Sequence, residues 1–202
     1  MRGVSTRAIG RAAIRDELAA IARPLFLDAG FDSVTFDGLA AAAGVSRSTF
    51  LRYFGSKEDV VLFSFDPLGE AMSAALASRP AGEEEWTALR RCVDPAIALL
   101  TREPDDGLAL LRLVWSTPPL WARLHEKQDG WRSLLAERLA ERSAAGPDSP
   151  GASPLALRTR AMAALGCLMV AFDSWVKAGG QDDLDVLADL TFEALAPTPP
   201  RR

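Results

Sequence analysis

The chain has 202 residues, 49% hydrophobic and 25% charged, which is globular composition for one domain or a small module joined to a larger one and excludes disorder along its whole length. Its net charge of −4 is unevenly spread: residues 1–57 hold eight Arg/Lys against five acids, and the remainder fifteen against twenty-two. Arg2, Arg7, Arg11 and Arg15 with no acid among them make a basic arm, which points to one localised anion-binding end on an otherwise acidic protein.

Alanine and leucine dominate and β-branched residues are too sparse for period-2 strands, so the sequence predicts an all-α fold. A first helix is predicted over 9–29, with Ile14, Leu18, Ile21, Leu25 and Phe26 on one face, a kink at Pro24 and a stop at Gly30. Thr35 caps a short helix over 36–43 that Gly44 ends, and Ser46 caps a second over 47–53. Ser56 caps a third, with Asp59 at its third position. Asp66-Pro67 is a break and restart. Amphipathic segments follow at 67–78, 84–102, 106–116, 119–143, 154–178 and 183–196, with a Gly/Pro-rich loop over 146–151 and a tail from Pro197.

The most informative stretch is Thr35–Lys57. Two short helices joined by the tight Gly44-Val45 turn make a helix-turn-helix, whose second helix suits a major groove. Leu39, Ala40, Val45, Phe50 and Phe54 have the spacing to pack the pair together, which turns Arg47, Ser48, Arg52 and Tyr53 outwards. A guanidinium fork matches both guanine edges and phosphates, so Arg47 and Arg52 are the predicted base or phosphate donors. Ser46, Ser48, Thr49 and Tyr53 would supply hydroxyl bonds. Thr35 and Lys57 lie at helix N-termini that favour phosphate oxygens, although Thr35 and Ser46 serve equally well as caps alone. Arg7 and Arg11 would follow the backbone or reach a minor groove.

With these residues in view the stretch resembles the DNA-binding domain of the TetR family of bacterial transcriptional regulators. The resemblance is carried by Leu25-Phe26, Gly30-Phe31, Thr35, Leu39-Ala40, Ala43-Gly44-Val45-Ser46, Thr49-Phe50, Tyr53-Phe54 and Ser56-Lys57-Glu58. It implies an N-terminal three-helix helix-turn-helix domain (1–57) and a larger helical domain (58–202) that binds an effector and dimerises. The implied assembly is an Ω-shaped homodimer on a palindromic double-stranded DNA operator. Leu51 stands where many members carry a tyrosine that touches the DNA backbone, so that contact is missing or passes to Arg52 and Tyr53. The run from Arg52 to Val61, followed by Phe65-Asp66, is also similar to regulators of the mycofactocin type, which suggests an acyl-CoA-like effector.

In the larger domain Trp115, Trp121, Met169, Phe172 and Trp175 are the candidates for the wall of an apolar effector cavity, or else fill the core. Leu157, Ala161, Ala164 and Leu168, with Leu184, Leu187, Thr191 and Phe192, recur at helical spacing on the last two helices and are the candidate dimerisation stripe. An intramolecular core explains the same stripe.

Ala161–Phe172, the longest uncharged apolar run, is too short to cross a bilayer as a helix, and no apolar segment follows the N-terminal arginines as in a secretory leader. Cys92 and Cys167 make no metal or redox spacing, so a soluble, cytoplasmic protein without a membrane partner is expected. His125, the only histidine, lacks partners at metal spacing, and there is no phosphate loop or nucleophile motif. No metal, cofactor or catalytic residue is therefore expected. The reading is a ligand-responsive DNA-binding repressor released by a small hydrophobic or acyl-CoA-like effector. The alternative is an all-α small-molecule-binding protein without specific DNA recognition, with an all-α enzyme a distant third.

Overall fold

A computed structural model describes residues 6–144 and 152–196 of the chain, and among them every regular element is helical. The predicted loop over 146–151 and the tail from Pro197 lie outside the described residues. The helices gather into two compact units. One runs to Ser64 and includes Arg112–Leu124; the other holds Phe65–Leu111 and the chain from His125. The boundary expected after residue 57 therefore falls short, and the first unit takes in a distant segment.

In the first unit α1 spans Thr6–Ala29 and runs through Pro24. Gly30, at φ 78°, closes it with an N–H bond to the Phe26 carbonyl. Helix α2 (Phe36–Ala42) starts where Thr35 Oγ1 accepts the Gly38 N–H at 3.1 Å. The chain then turns at Gly44, whose φ of 65° is a left-handed conformation that a side chain would strain. Helix α3 (Arg47–Tyr53) starts where Ser46 Oγ accepts the Thr49 N–H, and α4 (Lys57–Val61) where Ser56 Oγ accepts the Asp59 N–H, each at 3.1 Å. A single 3-10 turn follows at Phe63–Phe65.

Leu18, Ala22, Phe26, Leu39, Phe50, Phe54 and Leu62 are buried between α1–α4. Ring contacts run from Phe36 through Phe50 and Phe54 to Phe63, with centroids 5.5–6.1 Å apart. Ile14, expected on the buried face, is 41% exposed. Residues 10–14 are all exposed, so the fully buried face of α1 begins a turn later, at Leu18.

The second unit begins with α5 (Leu68–Ala77). The segment expected as one helix over 84–102 is two, α6 (Glu85–Cys92) and α7 (Asp94–Thr101), because Pro95 can donate no helical bond and restarts the helix in its first turn. Helix α8 (Pro104–Ser116) begins in this unit and ends in the first, while α9 (Pro118–Ala144) begins in the first and continues here. A Cβ added to Gly107 on α8 would lie 2.2 Å from the Leu100 carbonyl oxygen, so glycine permits the backbone approach of α7 and α8.

Helices α10 (Pro154–Lys177) and α11 (Leu184–Glu193) pack on each other and on α6. Among the described residues α10 alone is long and apolar enough to cross a bilayer. Nine of its side chains, from Leu157 to Trp175, are buried within the fold, as in a core helix.

Candidate DNA-binding site

Helix α3 buries Phe50 and turns Arg47, Ser48, Leu51 and Arg52 outwards, the 3- and 4-residue spacing that puts them on one face. Around that face the structure brings several of the predicted side chains together. The Arg52 guanidinium carbon lies 5.3 Å from the centre of the Tyr53 ring and that of Arg11 lies 6.0 Å from it. Arg11 Nη2 also donates to the Arg52 carbonyl at 3.3 Å. Arg47 comes within 3.7 Å of the Asp37 carboxylate of α2, with both side chains more than half exposed. So open an ion pair holds the arginine only loosely and leaves it free to exchange partners.

Ser46 Oγ lies 3.0 Å from Ser48 Oγ and 2.9 Å from Thr49 Oγ1, making a hydroxyl cluster at the start of α3. Ser46 and Thr35 both act as caps, and Thr49 is half-buried beside the first. The side chain of Arg7 lies outside the described residues.

Lys57 departs from expectation. Its side chain turns into the unit, where Nζ donates to the carbonyls of Phe31 and Val34 at 2.9 Å each and sits 4.4 Å from the centre of the Phe31 ring. The turn after α1 offers two carbonyls that no helix bond satisfies, and the ammonium is drawn to them. Arg123 of α9, unnoticed in the sequence, is anchored in this unit by α4. Its Nε and Nη2 donate to Asp59 Oδ1 at 2.9 and 2.8 Å.

The residues predicted for the larger domain fall differently. Trp115 and Trp121 belong to the first unit, stacked edge to face with centroids 4.9 Å apart, while Met169, Phe172 and Trp175 belong to the second. Phe172 and Trp175 are buried core residues, and Met169 Sδ accepts a 3.0 Å bond from the buried Gln128 amide. Two grooves on the second unit, of about 420 and 770 Å³, have mixed linings: Trp86 and Leu195 beside Glu85 and Arg160 in the smaller, and Leu155 and Met162 beside Arg132 and Arg158 in the larger. None of the five predicted wall residues lines either groove.

The predicted dimer stripe is turned inwards. Leu157, Ala161, Ala164, Leu168, Leu184 and Phe192 are buried within the chain, and Leu187 and Thr191 are half-buried. The Phe192 carbonyl accepts the Trp86 indole N–H at 2.9 Å, and the Thr191 carbonyl accepts the Cys167 thiol at 3.4 Å. The opposite faces of the same two helices carry exposed Leu155, Met162 and Val170 on α10 and Val186 and Leu190 on α11.

Sequence reasoning also missed Arg90, a buried guanidinium that binds Asp94 at 2.5 Å, Asp185 at 2.9 Å and Asp189 at 2.5 Å, joining α6, α7 and α11. Burial works against its charge, but the hydrogen bonds it donates to Asp185, Asp94 and Asp189 outweigh that and hold its pKa above the ordinary arginine value. Among the described residues no three His, Cys, Asp or Glu side chains are grouped to hold a metal ion.

Comparisons with known proteins agree with the helix-turn-helix geometry. The family model described as bacterial regulatory proteins of the tetR family matches residues 18–62, and the one described as the MftR C-terminal domain matches residues 67–200. TcmR, an HTH-type transcriptional regulator of Streptomyces glaucescens, is 37% identical over 134 residues, covering 63% of this chain and 59% of its own. A relative from Mycobacterium tuberculosis named for the regulation of mycofactocin biosynthesis, MftR, is 28% identical over 160 residues, covering 78% of this chain and 77% of its own. Among solved structures, FadR of Bacillus subtilis in complex with stearoyl-CoA shares the fold, with a TM-score of 0.61 and 21% identity over 89% of this chain and 96% of that one. The matched models span both the helix-turn-helix and most of the remaining helices, and the chain belongs to the TetR family of bacterial transcriptional regulators, a family of regulators and not of enzymes.

Proposed function

We propose that this chain is a cytoplasmic repressor that binds a palindromic double-stranded operator as a homodimer and leaves it when a small hydrophobic or acyl-CoA-like effector binds. The outward face of α3 carries the reading. Two arginines and a serine project from a short helix whose other side is locked to α1 and α2 by Phe50, and a rigidly backed helix with such a face suits base edges in a major groove. Arg11, held against Tyr53 and the end of α3, extends the basic surface towards the phosphate backbone.

The homodimer is supported by the exposed apolar stripes of α10 and α11. Met162, Val170, Val186 and Leu190 are each more than half exposed, and a second copy of the same two helices would cover them. A two-fold dimer calls for an operator with two-fold symmetry. The acyl-CoA-like effector is supported by the fold shared with FadR of Bacillus subtilis, whose structure holds stearoyl-CoA.

Selection of operators from random duplex DNA by the full-length chain tests the reading. Enrichment of an inverted repeat with half-sites about one helical turn apart is expected. A library that stays random after repeated rounds at low salt would remove the reading. The effector is tested by adding long-chain acyl-CoA to the protein on the selected duplex, and a complex unaffected by it would remove that part alone.

A further inference from the structure

Leu51 is the odd member of the α3 face. It is 39% exposed in the middle of a stripe whose other members, Arg47, Ser48 and Arg52, are polar. It lies four residues from Arg47 and three from Ser48, on their side of the helix and away from Phe50. A leucine there stays outside the fully buried core of the unit, and its exposed part lies among the groups proposed to meet the nucleic acid. The major groove offers an apolar side chain one methyl group, the C5-methyl of thymine, set among hydrogen-bond donors and acceptors.

We infer that Leu51 is a specificity-determining residue that packs on a thymine methyl group in each operator half-site. The inference rests on α3 being the helix that enters the groove. Arg47 and Leu51 are separated by about 6 Å along the helix axis at 1.5 Å per residue, or roughly two base-pair steps at 3.4 Å. The thymine therefore lies within about two base pairs of the base that Arg47 meets. The flanking arginines fix the register, because a guanidinium forks onto a guanine or a phosphate and holds the helix while the leucine excludes water from the methyl group.

The test separates the methyl group from the rest of the base. Each thymine of the selected operator is replaced singly by deoxyuridine, which keeps every pairing and groove hydrogen bond and deletes only the methyl. Binding is measured for the parent chain and for Leu51→Ala, whose exposed position and high helix propensity leave α3 intact. One thymine per half-site should stand out. Its replacement should weaken the parent about fourfold, the worth of withdrawing one methyl-sized group from water, and leave Leu51→Ala unaffected. A parent chain indifferent to every methyl, or a Leu51→Ala variant as sensitive as the parent, overturns the inference while leaving DNA binding in place. Failure to enrich any sequence overturns both.

Discussion

Lys57 holds Val34 by its main chain. The ammonium donates to the Val34 carbonyl at 2.9 Å and to the Phe31 carbonyl at the same distance, tying the first turn of α4 to the segment between α1 and α2. Lys57→Ala should therefore act on the fold before it acts on DNA. Two half-buried carbonyls lose a charged donor, and a loss of about 1.5–3 kcal/mol is expected. Urea unfolding should show a lower midpoint at unchanged slope. An unchanged midpoint with a weaker salt dependence of DNA binding would return Lys57 to the phosphate-contacting role read from the sequence.

Arg47 should behave in the opposite way. Its guanidinium is exposed and held only by the open contact with Asp37, so Arg47→Ala should leave stability within about 0.5 kcal/mol of the parent. On a selected operator it should cost about 1–3 kcal/mol and relax preference at one position per half-site. Binding equal to the parent at physiological salt would place Arg47 outside the groove.

The last two helices give a paired prediction. Met162→Asp or Leu190→Asp puts a carboxylate on the exposed stripe and should yield a folded monomer by sedimentation. Leu168→Asp or Ala164→Asp puts one into the core of α10 and should unfold the chain, because a buried unpaired charge costs far more than the net stability of a domain allows. Folded dimers from the first pair would refute this assignment of the faces.

Arg90→Met should destabilise by about 2–3 kcal/mol, below the 3–5 typical of a broken buried pair, since the three aspartates left behind are partly exposed and rehydrate. Asp189→Asn should cost less, because Asp94 and Asp185 still neutralise the guanidinium. Thermal unfolding of both variants checks the order.

Cys92 should be inert. Burial pushes its thiol up to about 12, and at pH 8 about one part in ten thousand is thiolate. Burial raises Cys167 as well. A thiol reagent should find no fast site in the native protein and two after unfolding. Because the folded value is the higher one, Cys92 is neutral in its effect below pH 9.0 and weakens the fold as pH climbs from there towards 12.

The helix-turn-helix was legible because its instructions are local. Thr35, Ser46 and Ser56 each cap the helix that begins just after them, and Gly30 and Gly44 take left-handed angles after α1 and α2. The larger unit was less legible because its instructions are not local. Helix α10 is apolar on two faces, and periodicity finds both without telling which one meets α11. Arg90 and Arg91 are indistinguishable in sequence; the partners that draw Arg90 inwards, Asp185 and Asp189, come 95 and 99 residues later. The inward turn of Lys57 is hidden for the same reason, the carbonyls it binds being 23 and 26 residues back. Pro95, by contrast, was in plain view in a segment whose apolar period ran straight through it.

The ends of α8 and α9 bear on any attempt to handle the DNA-reading part alone. Arg112–Leu124 belongs to the same compact unit as the residues up to Ser64, and it supplies the guanidinium that Asp59 binds, together with buried Val114, Leu120 and Leu124. A fragment cut after Ser64 would lack all of these, and the apolar surface they cover would meet water. Chimaeras that graft this reading head onto another sensor should therefore carry two stretches of chain, and a splice at the first boundary alone would deliver an incomplete head.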